Sequence, residues 1–508
     1  MGQKKILGLE FGSTRIKSVL IDESGVVLAL GTYDWENQLV DGLWSYDPDQ
    51  AIEGMQESFR ALVKNYGEPI TELDAIGISG MMHGYLAFDA DGKLLVPFRT
   101  WRNTNAEAAA EVLSEAFSFH LPMRWSAAQY YQSVLDGMSH VTQVAHLNTL
   151  AGYMHYLLTG RRVLGVGDAS GMFPIEDGDY SQRMLDIFGE MLERHGVCTD
   201  FKSLLPQVLS AGEDAGILTQ AGALLLDPTG VLQAGCPFCP PEGDMQTGMV
   251  CTNTVKPHSA NASLGTSANI TVVLAEALRR YHPEIDVIMT PDGYPAALVH
   301  ANTCTSVIDT WVGVFGELLD RVGATVDRSR LFRTLFESAL ASDADVGGVA
   351  AYNFLAAEPL AGVGKGIPTV FVGEGGKLTL SNLMQAEIFG AIATLGLGLD
   401  ILSDEGVKIQ RVFGHGGFFK TPIIGQSALS ALVKAPVTVT ETASEGGAYG
   451  IALLALYTFS KTSTLADFLD GVFANMEKST LMADAALIGK FDRFMENYKK
   501  GLAGIAAL

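Results

Sequence analysis

The chain has 508 residues, too many for one hydrophobic core, so two or more domains are expected. Hydrophobic residues make up 48% and charged residues 18%, the composition of a folded globular protein and not of a disordered one. With 34 basic against 57 acidic residues the net charge is −23, which argues against nucleic acid and anionic membrane as general partners. A nucleotide is not excluded, because a metal ion and a few local donors can reverse the potential at one site.

The start, MGQKKILGLEFG, lacks the apolar core of a signal peptide, and no apolar run approaches the ~18 residues of a spanning helix. A cytoplasmic location is therefore expected. The five cysteines are scattered thinly, as in reduced proteins. Cys236 and Cys239 have metal or redox spacing, but no second pair completes a four-ligand site, so two buried thiols are expected.

In chain order, residues 4–10, 16–21 and 26–30 read as strands of a meander, joined by a Phe11-Gly12-Ser13-Thr14 turn and an Asp22–Gly25 hairpin turn. Gly12 permits close backbone approach, and Ser13 and Thr14 add hydroxyl donors for an anion, although a plain hairpin would look the same. Asp47-Pro48 starts a helix whose apolar residues, Ile52, Met55, Phe59, Leu62, Val63 and Tyr66, recur at helical spacing up to Gly67. Residues 74–79 form a buried strand, and residues 105–117 and 140–158 are expected to be helical. Residues 176–232 read as irregular helices and loops.

At the middle of the chain, Glu242-Gly243-Asp244 sets a carboxylate in a glycine-flanked turn, placed to take up a proton. Ser263-Leu264-Gly265-Thr266-Ser267 follows as a second glycine–hydroxyl turn whose outward N–H groups suit an anion. Residues 261–274 repeat the plan of 11–20, a glycine turn before an apolar strand. Residues 382–402 predict a long helix capped by Ser381. A strand over 408–413 leads to a turn at Gly414-His415-Gly416-Gly417, and a helix opens at Thr421-Pro422. Strand 437–440 precedes Glu445-Gly-Gly-Ala-Tyr-Gly450, which opens an apolar helix, so strand, glycine turn and helix N-terminus recur as a nucleotide-binding theme. Together these features suggest phosphoryl transfer between two related lobes.

Residues 6 to about 455 resemble the FGGY carbohydrate kinase family, and within it the xylulokinases. Gly8-Leu-Glu-Phe-Gly-Ser-Thr14 stands where the family has its first phosphate motif, GxDxGT. Gly77-Ile-Ser-Gly-Met-Met-His-Gly84 is similar to the sugar-contacting turn, and Thr100-Trp-Arg-Asn-Thr104 to the tryptophan-led substrate segment. Glu242-Gly-Asp244 matches the motif carrying the catalytic base, and Leu264-Gly-Thr-Ser267 the second phosphate motif. Gly414-His-Gly-Gly417 matches the turn against the adenosine, and Glu445–Gly450 the closing glycine helix.

The resemblance implies an α/β fold of two ribonuclease-H-like (actin-like ATPase) domains with a central cleft. It implies an N-terminal domain over 1–252, with the sugar site, first phosphate motif and base, and an ATP-binding domain over 253–508. It further implies an ATP- and Mg²⁺-dependent kinase acting on a terminal hydroxyl of a small sugar, with D-xylulose to its 5-phosphate as the leading expectation. Asp244 is the expected base; Met82, His83, Trp101, Arg102, Asn103 and Met245 are expected at the sugar. Gly12, Ser13, Thr14, Gly265, Thr266, Ser267, Gly414, Gly416 and Gly417 are expected at the nucleotide, and Glu10 with Asp244 at the metal. The expected partners are the sugar and ATP or ADP, with a homodimer expected from the family alone.

Two departures leave the acceptor open. Glu10 stands where most members carry aspartate. Met245 follows the base where an amide that touches the sugar is common, and the amide, Gln246, comes one residue later. Residues 353–358, NFLAAE, match the family's PYLSGE only loosely. Ribulose, another ketose, a polyol or a sugar acid therefore remains an alternative acceptor, and an inactive actin-like sensor an alternative role.

Overall fold

The computed structural model describes residues 3–421, 423–440, 446–460, 464–476 and 478–507; Pro422 and Glu445 of the expected helix starts lie outside them. The chain divides into two compact units. The first comprises 1–256, 281–296 and 442–475, and the second 257–280, 297–441 and 476–508.

In the first unit, Ile6–Phe11, Arg15–Ile21 and Val27–Asp34 pair antiparallel as a meander. Ala75–Gly80 then adds parallel to Ile6–Phe11, and the short strand Glu242–Gly243 adds parallel to Ala75–Gly80. Every residue of Ile6–Phe11 is buried, so both faces of this strand must be covered.

Two helices cover them, and the pleat shows that they lie on opposite faces. Helix Pro48–Tyr66 packs on the face of Ser18 and Gly31, where Ser18 Oγ and Ser58 Oγ are 2.7 Å apart. Its start is fixed by the Asp47 side chain, which accepts the Asp49 N–H at 3.0 Å, and its end by Gly67 at φ 87°. Met55, Phe59 and Leu62 bury its inner stripe, each contributing about 1.5–3 kcal/mol of transfer free energy. Helix Gly446–Tyr457 packs on the other face, that of the in-register pair Gly8 and Gly77. A side chain at Gly8 would collide with the Ala448 carbonyl, and one at Gly77 would stand 2.6 Å from the Ile451 carbonyl oxygen. The first glycine of the phosphate motif thus serves close helix–strand packing.

The second unit repeats the scheme. Ser259–Leu264 and Ala268–Val273 form a hairpin, Arg411–His415 adds parallel to Ser259–Leu264, and Val437–Thr440 parallel to Arg411–His415. Lys478–Leu481 closes the edge antiparallel. Helix Leu380–Asp404 is apolar and long enough by composition to cross a membrane, and most of it is buried within this unit.

Several expectations are corrected. The long helix starts two residues early, because Thr379 and not Ser381 caps it by accepting the Asn382 N–H at 3.2 Å. The helix expected over 140–158 is confined to Leu150–Thr159, because Thr149 caps the Gly152 N–H at 3.1 Å and His146–Asn148 pairs as a strand with Leu86–Phe88. Gly414 and His415 continue a strand, so the glycine turn begins only at Gly416.

Candidate active site

Asp244 stands at the end of strand Glu242–Gly243 and is the first residue of helix Asp244–Cys251. The helix is tied to the neighbouring strand through Thr247 Oγ1 and Ser79 Oγ, 2.9 Å apart. Asp244 is half-buried, and its Oδ1 accepts the Met82 N–H at 3.3 Å. Burial first, and then the charge of Glu10, pushes its carboxyl up to about 6, against backbone N–H groups that favour the ionised form. Behind it the buried Glu242 carboxylate accepts the N–H groups of Gly167 and Asp168, at 3.3 and 2.8 Å, and fixes the base of the turn.

Glu10 is the last residue but one of the first strand and is nearly buried. Its Oε2 lies 3.2 Å from Lys17 Nζ and accepts the Ala448 N–H at 3.3 Å. The adjoining turn is held by its carbonyls. Trp35 Nε1 donates to the Gly12 carbonyl at 2.7 Å and Tyr46 Oη to the Ser13 carbonyl at 2.5 Å, while Gly12 N–H closes on the Arg15 carbonyl at 3.0 Å. Ser13 is half-buried and Thr14 exposed, so their hydroxyls are accessible to an anion. Among the described residues no group of three or more His, Cys, Asp or Glu is placed to hold a metal ion.

In the turn expected to contact the sugar, His83 is a buried non-glycine residue at φ 67°, a conformation that costs free energy and often accompanies binding sites. Its ring stacks on Trp125 with centroids 6.2 Å apart, and Nδ1 lies 3.4 Å from the Gly171 carbonyl. Burial, and then the Arg124 charge, lowers its pKa to about 3, so the ring is neutral at physiological pH. Met82 is buried and is joined to Asp244 through its backbone. Trp101 is 42% exposed, not a core residue, and its Nε1 donates to Ser13 Oγ at 3.3 Å. Arg102 lies over the Trp44 ring at 4.7 Å. Asn103 is different: its amide exchanges hydrogen bonds with the Trp44 backbone, both at 2.8 Å, and so clasps a neighbouring strand. Met245 is half-buried, whereas Gln246 is fully buried, with its amide donating to the Gly167 and Met289 carbonyls.

In the second unit, Gly265 N–H closes on the Ser267 carbonyl at 2.9 Å, as Gly12 does on Arg15. The carbonyls of Gly265 and Thr266 are held by Thr305 Oγ1 and Ser306 Oγ, at 2.7 and 2.9 Å. Thr266 is exposed and Ser267 half-buried. Gly414 packs against the Phe419 ring. Gly416 takes φ 107° against the Leu264 backbone, and Gly417 faces open space.

Sequence reasoning missed Lys17, the partner of Glu10, and the buried carboxyls of Glu242 and Asp168. The alternation of the second strand puts Lys17 on a defined face, and its pairing with Glu10 follows once the register is known. The thiols of Cys236 and Cys239 are free and buried, and burial pushes the Cys236 thiol up to about 12, which leaves it inert.

Comparison with known proteins places this geometry in a family. Residues 5–129 match the N-terminal domain and residues 260–459 the C-terminal domain of the FGGY family of carbohydrate kinases. The chain belongs to that family and is a phosphotransferase with an alcohol group as acceptor. It is 21% identical to a xylulose kinase of Staphylococcus xylosus over 473 residues, covering 89% of this chain and 90% of that protein. A solved xylulose kinase from Rhodospirillum rubrum is similar with a TM-score of 0.81 at 17% identity, over 99% of both chains. A glycerol kinase of Plasmodium falciparum, solved with ADP, gives a TM-score of 0.74 at 15% identity, over 99% of this chain and 98% of that one. The fold is therefore that of two ribonuclease-H-like, actin-like ATPase domains.

Proposed function

We propose that this protein transfers the γ-phosphoryl group of ATP to a terminal hydroxyl of a small sugar, with D-xylulose to D-xylulose 5-phosphate as the leading reaction. The observation that carries the reading is Asp244. It is a half-buried carboxylate whose pKa is raised to about 6, joined through its Oδ1 to the backbone of the Met82–His83 turn. In this reading the acceptor hydroxyl gives its proton to Asp244 as its oxygen attacks the γ-phosphorus, and the bond to the ADP oxygen breaks. The proton then leaves Asp244 for solvent, and the carboxylate is restored.

The sugar is assigned to the domain over 1–252, with Met82, His83, Trp101, Arg102 and Met245 around it and Asn103 holding the segment from behind. The same domain offers Gly12, Ser13 and Thr14 to phosphate. The domain over 253–508 is assigned the nucleotide, with Gly265, Thr266 and Ser267 at phosphate and Gly414, Gly416 and Gly417 at the adenosine. ADP in the solved glycerol kinase supports an adenine nucleotide.

Glu10 and Asp244 form a donor set that suits Mg²⁺, an ion held by one or two carboxylates together with phosphate oxygens and water. The charge of Glu10 raises the Asp244 pKa, so the two carboxylates repel each other where a divalent cation would offset them. Such an ion would neutralise phosphate charge during transfer.

A second acceptor, such as ribulose, is favoured by one observation: the Gln246 amide is bonded to protein and Met245 supplies no donor. A coupled assay of ADP release over D-xylulose, D-ribulose, glycerol and sugar acids tests the reading. The highest kcat/KM is expected for D-xylulose. Measurable ATP binding with no acceptor-stimulated ADP release would overturn the kinase assignment.

A further inference from the structure

We propose that Glu242 is a positioning residue for phosphoryl transfer: with Gln246 it grips Gly167 from both sides of Asp244 and so sets where the base stands against the Met82–His83 turn. The inference rests on the sugar-kinase reading above and deepens it, since it concerns how the base of that reading is held.

The grip is made by the residues two before and two after Asp244, wholly within the first unit. Glu242 Oε1 accepts the Gly167 N–H at 3.3 Å, and Oε2 accepts the Asp168 N–H at 2.8 Å. From the other side, Gln246 Nε2 donates to the Gly167 carbonyl at 3.2 Å. The N–H and the carbonyl of one residue are thus held by two side chains that bracket the base. The backbone is shaped to admit them. A side chain at Gly165 would collide with the Glu242 carboxyl, and one at Gly167 with both Glu242 and Gln246. Gly165 N–H also donates to the Pro241 carbonyl at 2.8 Å, which joins the two segments just before the grip. Glu242 is 1% exposed, so it acts through Asp244 and not on a ligand.

The gripped segment is itself fixed. Thr149 Oγ1 donates to Asp168 Oδ2 at 2.6 Å. Ser170 Oγ donates to the Gly167 carbonyl at 2.5 Å and accepts the Met289 N–H at 3.0 Å. Its far end meets the Met82–His83 turn: the Gly171 carbonyl lies 3.4 Å from His83 Nδ1, and a side chain at Gly171 would stand 2.7 Å from that nitrogen. On its other edge, strand Glu242–Gly243 pairs with Ser79 and Gly80, which lead into that turn. The base and the turn it faces are therefore both referred to residues 165–171.

The test asks whether Glu242 acts through Asp244. Glu242→Gln keeps the size of the side chain but sets an amide nitrogen against a backbone N–H, which releases half of the grip. Misplacing a reacting group by about 1 Å costs up to ~10²-fold, and the loss cannot exceed what the base supplies. With D-xylulose and ATP, kcat should fall about 10–100-fold while both KM values stay within about threefold. In an Asp244→Asn background the same substitution should change kcat by less than about twofold, because no base is left to misplace. An unchanged kcat in Glu242→Gln, or an equal loss in both backgrounds, overturns the proposal, since a substitution that only loosens the fold acts alike on both. If thermal unfolding shows that Glu242→Gln does not fold, Gln246→Met decides, because it releases the other half of the grip. It should give the same pattern, and an unchanged kcat or an equal loss in both backgrounds overturns the proposal. A wild type that releases no ADP with any acceptor overturns the kinase reading itself, an outcome distinct from a wild type that turns over and variants that match it.

Discussion

Lys17 Nζ sits 3.2 Å from Oε2 of Glu10, across two antiparallel strands on which the two residues face each other in register. The same oxygen accepts the Ala448 N–H in the first turn of helix Gly446–Tyr457, where the helix dipole favours a negative charge. The extra methylene of glutamate is thus used to reach both an ammonium group and a helix N-terminus. Lys17→Met leaves this nearly buried carboxylate short of a partner and should cost about 1–3 kcal/mol in urea unfolding, less than a fully buried pair because Lys17 is partly exposed. Glu10→Gln should raise the Mg²⁺ concentration needed for half-maximal rate several-fold, read from a Mg²⁺ titration of turnover.

The pH dependence follows from Asp244. Its carboxyl is raised to about 6, so as base it works only above that value, and kcat/KM should fall about tenfold per unit as pH drops below it. Glu10→Gln removes the neighbouring charge and should move the midpoint to lower pH. The stability sign is opposite. A carboxyl with a raised folded-state pKa favours the fold while protonated, and this contribution is lost as pH rises through about 6. Asp244→Asn should therefore be more stable than wild type at pH 7, by about 1–2 kcal/mol, and equal to it near pH 4. Paired unfolding curves at the two pH values check this.

The reach of the sequence is visible in particular residues. The meander and the helix after Asp47 were legible because alternation, a capping carboxylate and Gly67 all agree. The two glycine–hydroxyl turns were legible because close turns need those residue types. Residues that meet only through tertiary packing were not. Arg124 and Asp286 lie 162 positions apart, with no local pattern joining them. Thr149 looked like part of one helical run, and only its bond to the Gly152 N–H reveals a new helix start. Segments 281–296 and 442–475 belong with the first unit, although they follow the midpoint of the chain. The role of Gly8 was also hidden, since contact with the Ala448 carbonyl depends on a helix more than 400 residues away.

Trp101 separates binding from folding. It is 42% exposed, and its one side-chain hydrogen bond goes to Ser13 Oγ. Trp101→Ala removes little core and should leave the melting temperature within about 2 °C of wild type. As an apolar wall for the sugar it should raise the acceptor KM by about tenfold, while KM for ATP changes little. Thermal unfolding and steady-state kinetics on the same preparation read both quantities.

The most direct measurement takes Asp244→Asn and determines nucleotide affinity and sugar-dependent ADP release side by side. The substitution keeps the size of the side chain, and with it the acceptor of the Met82 N–H, but removes the group that receives the acceptor's proton. Nucleotide Kd should stay within about twofold of wild type, while turnover falls by about 10²–10⁴-fold. Turnover within about tenfold of wild type, with nucleotide bound normally, would contradict the assignment of Asp244 as the base.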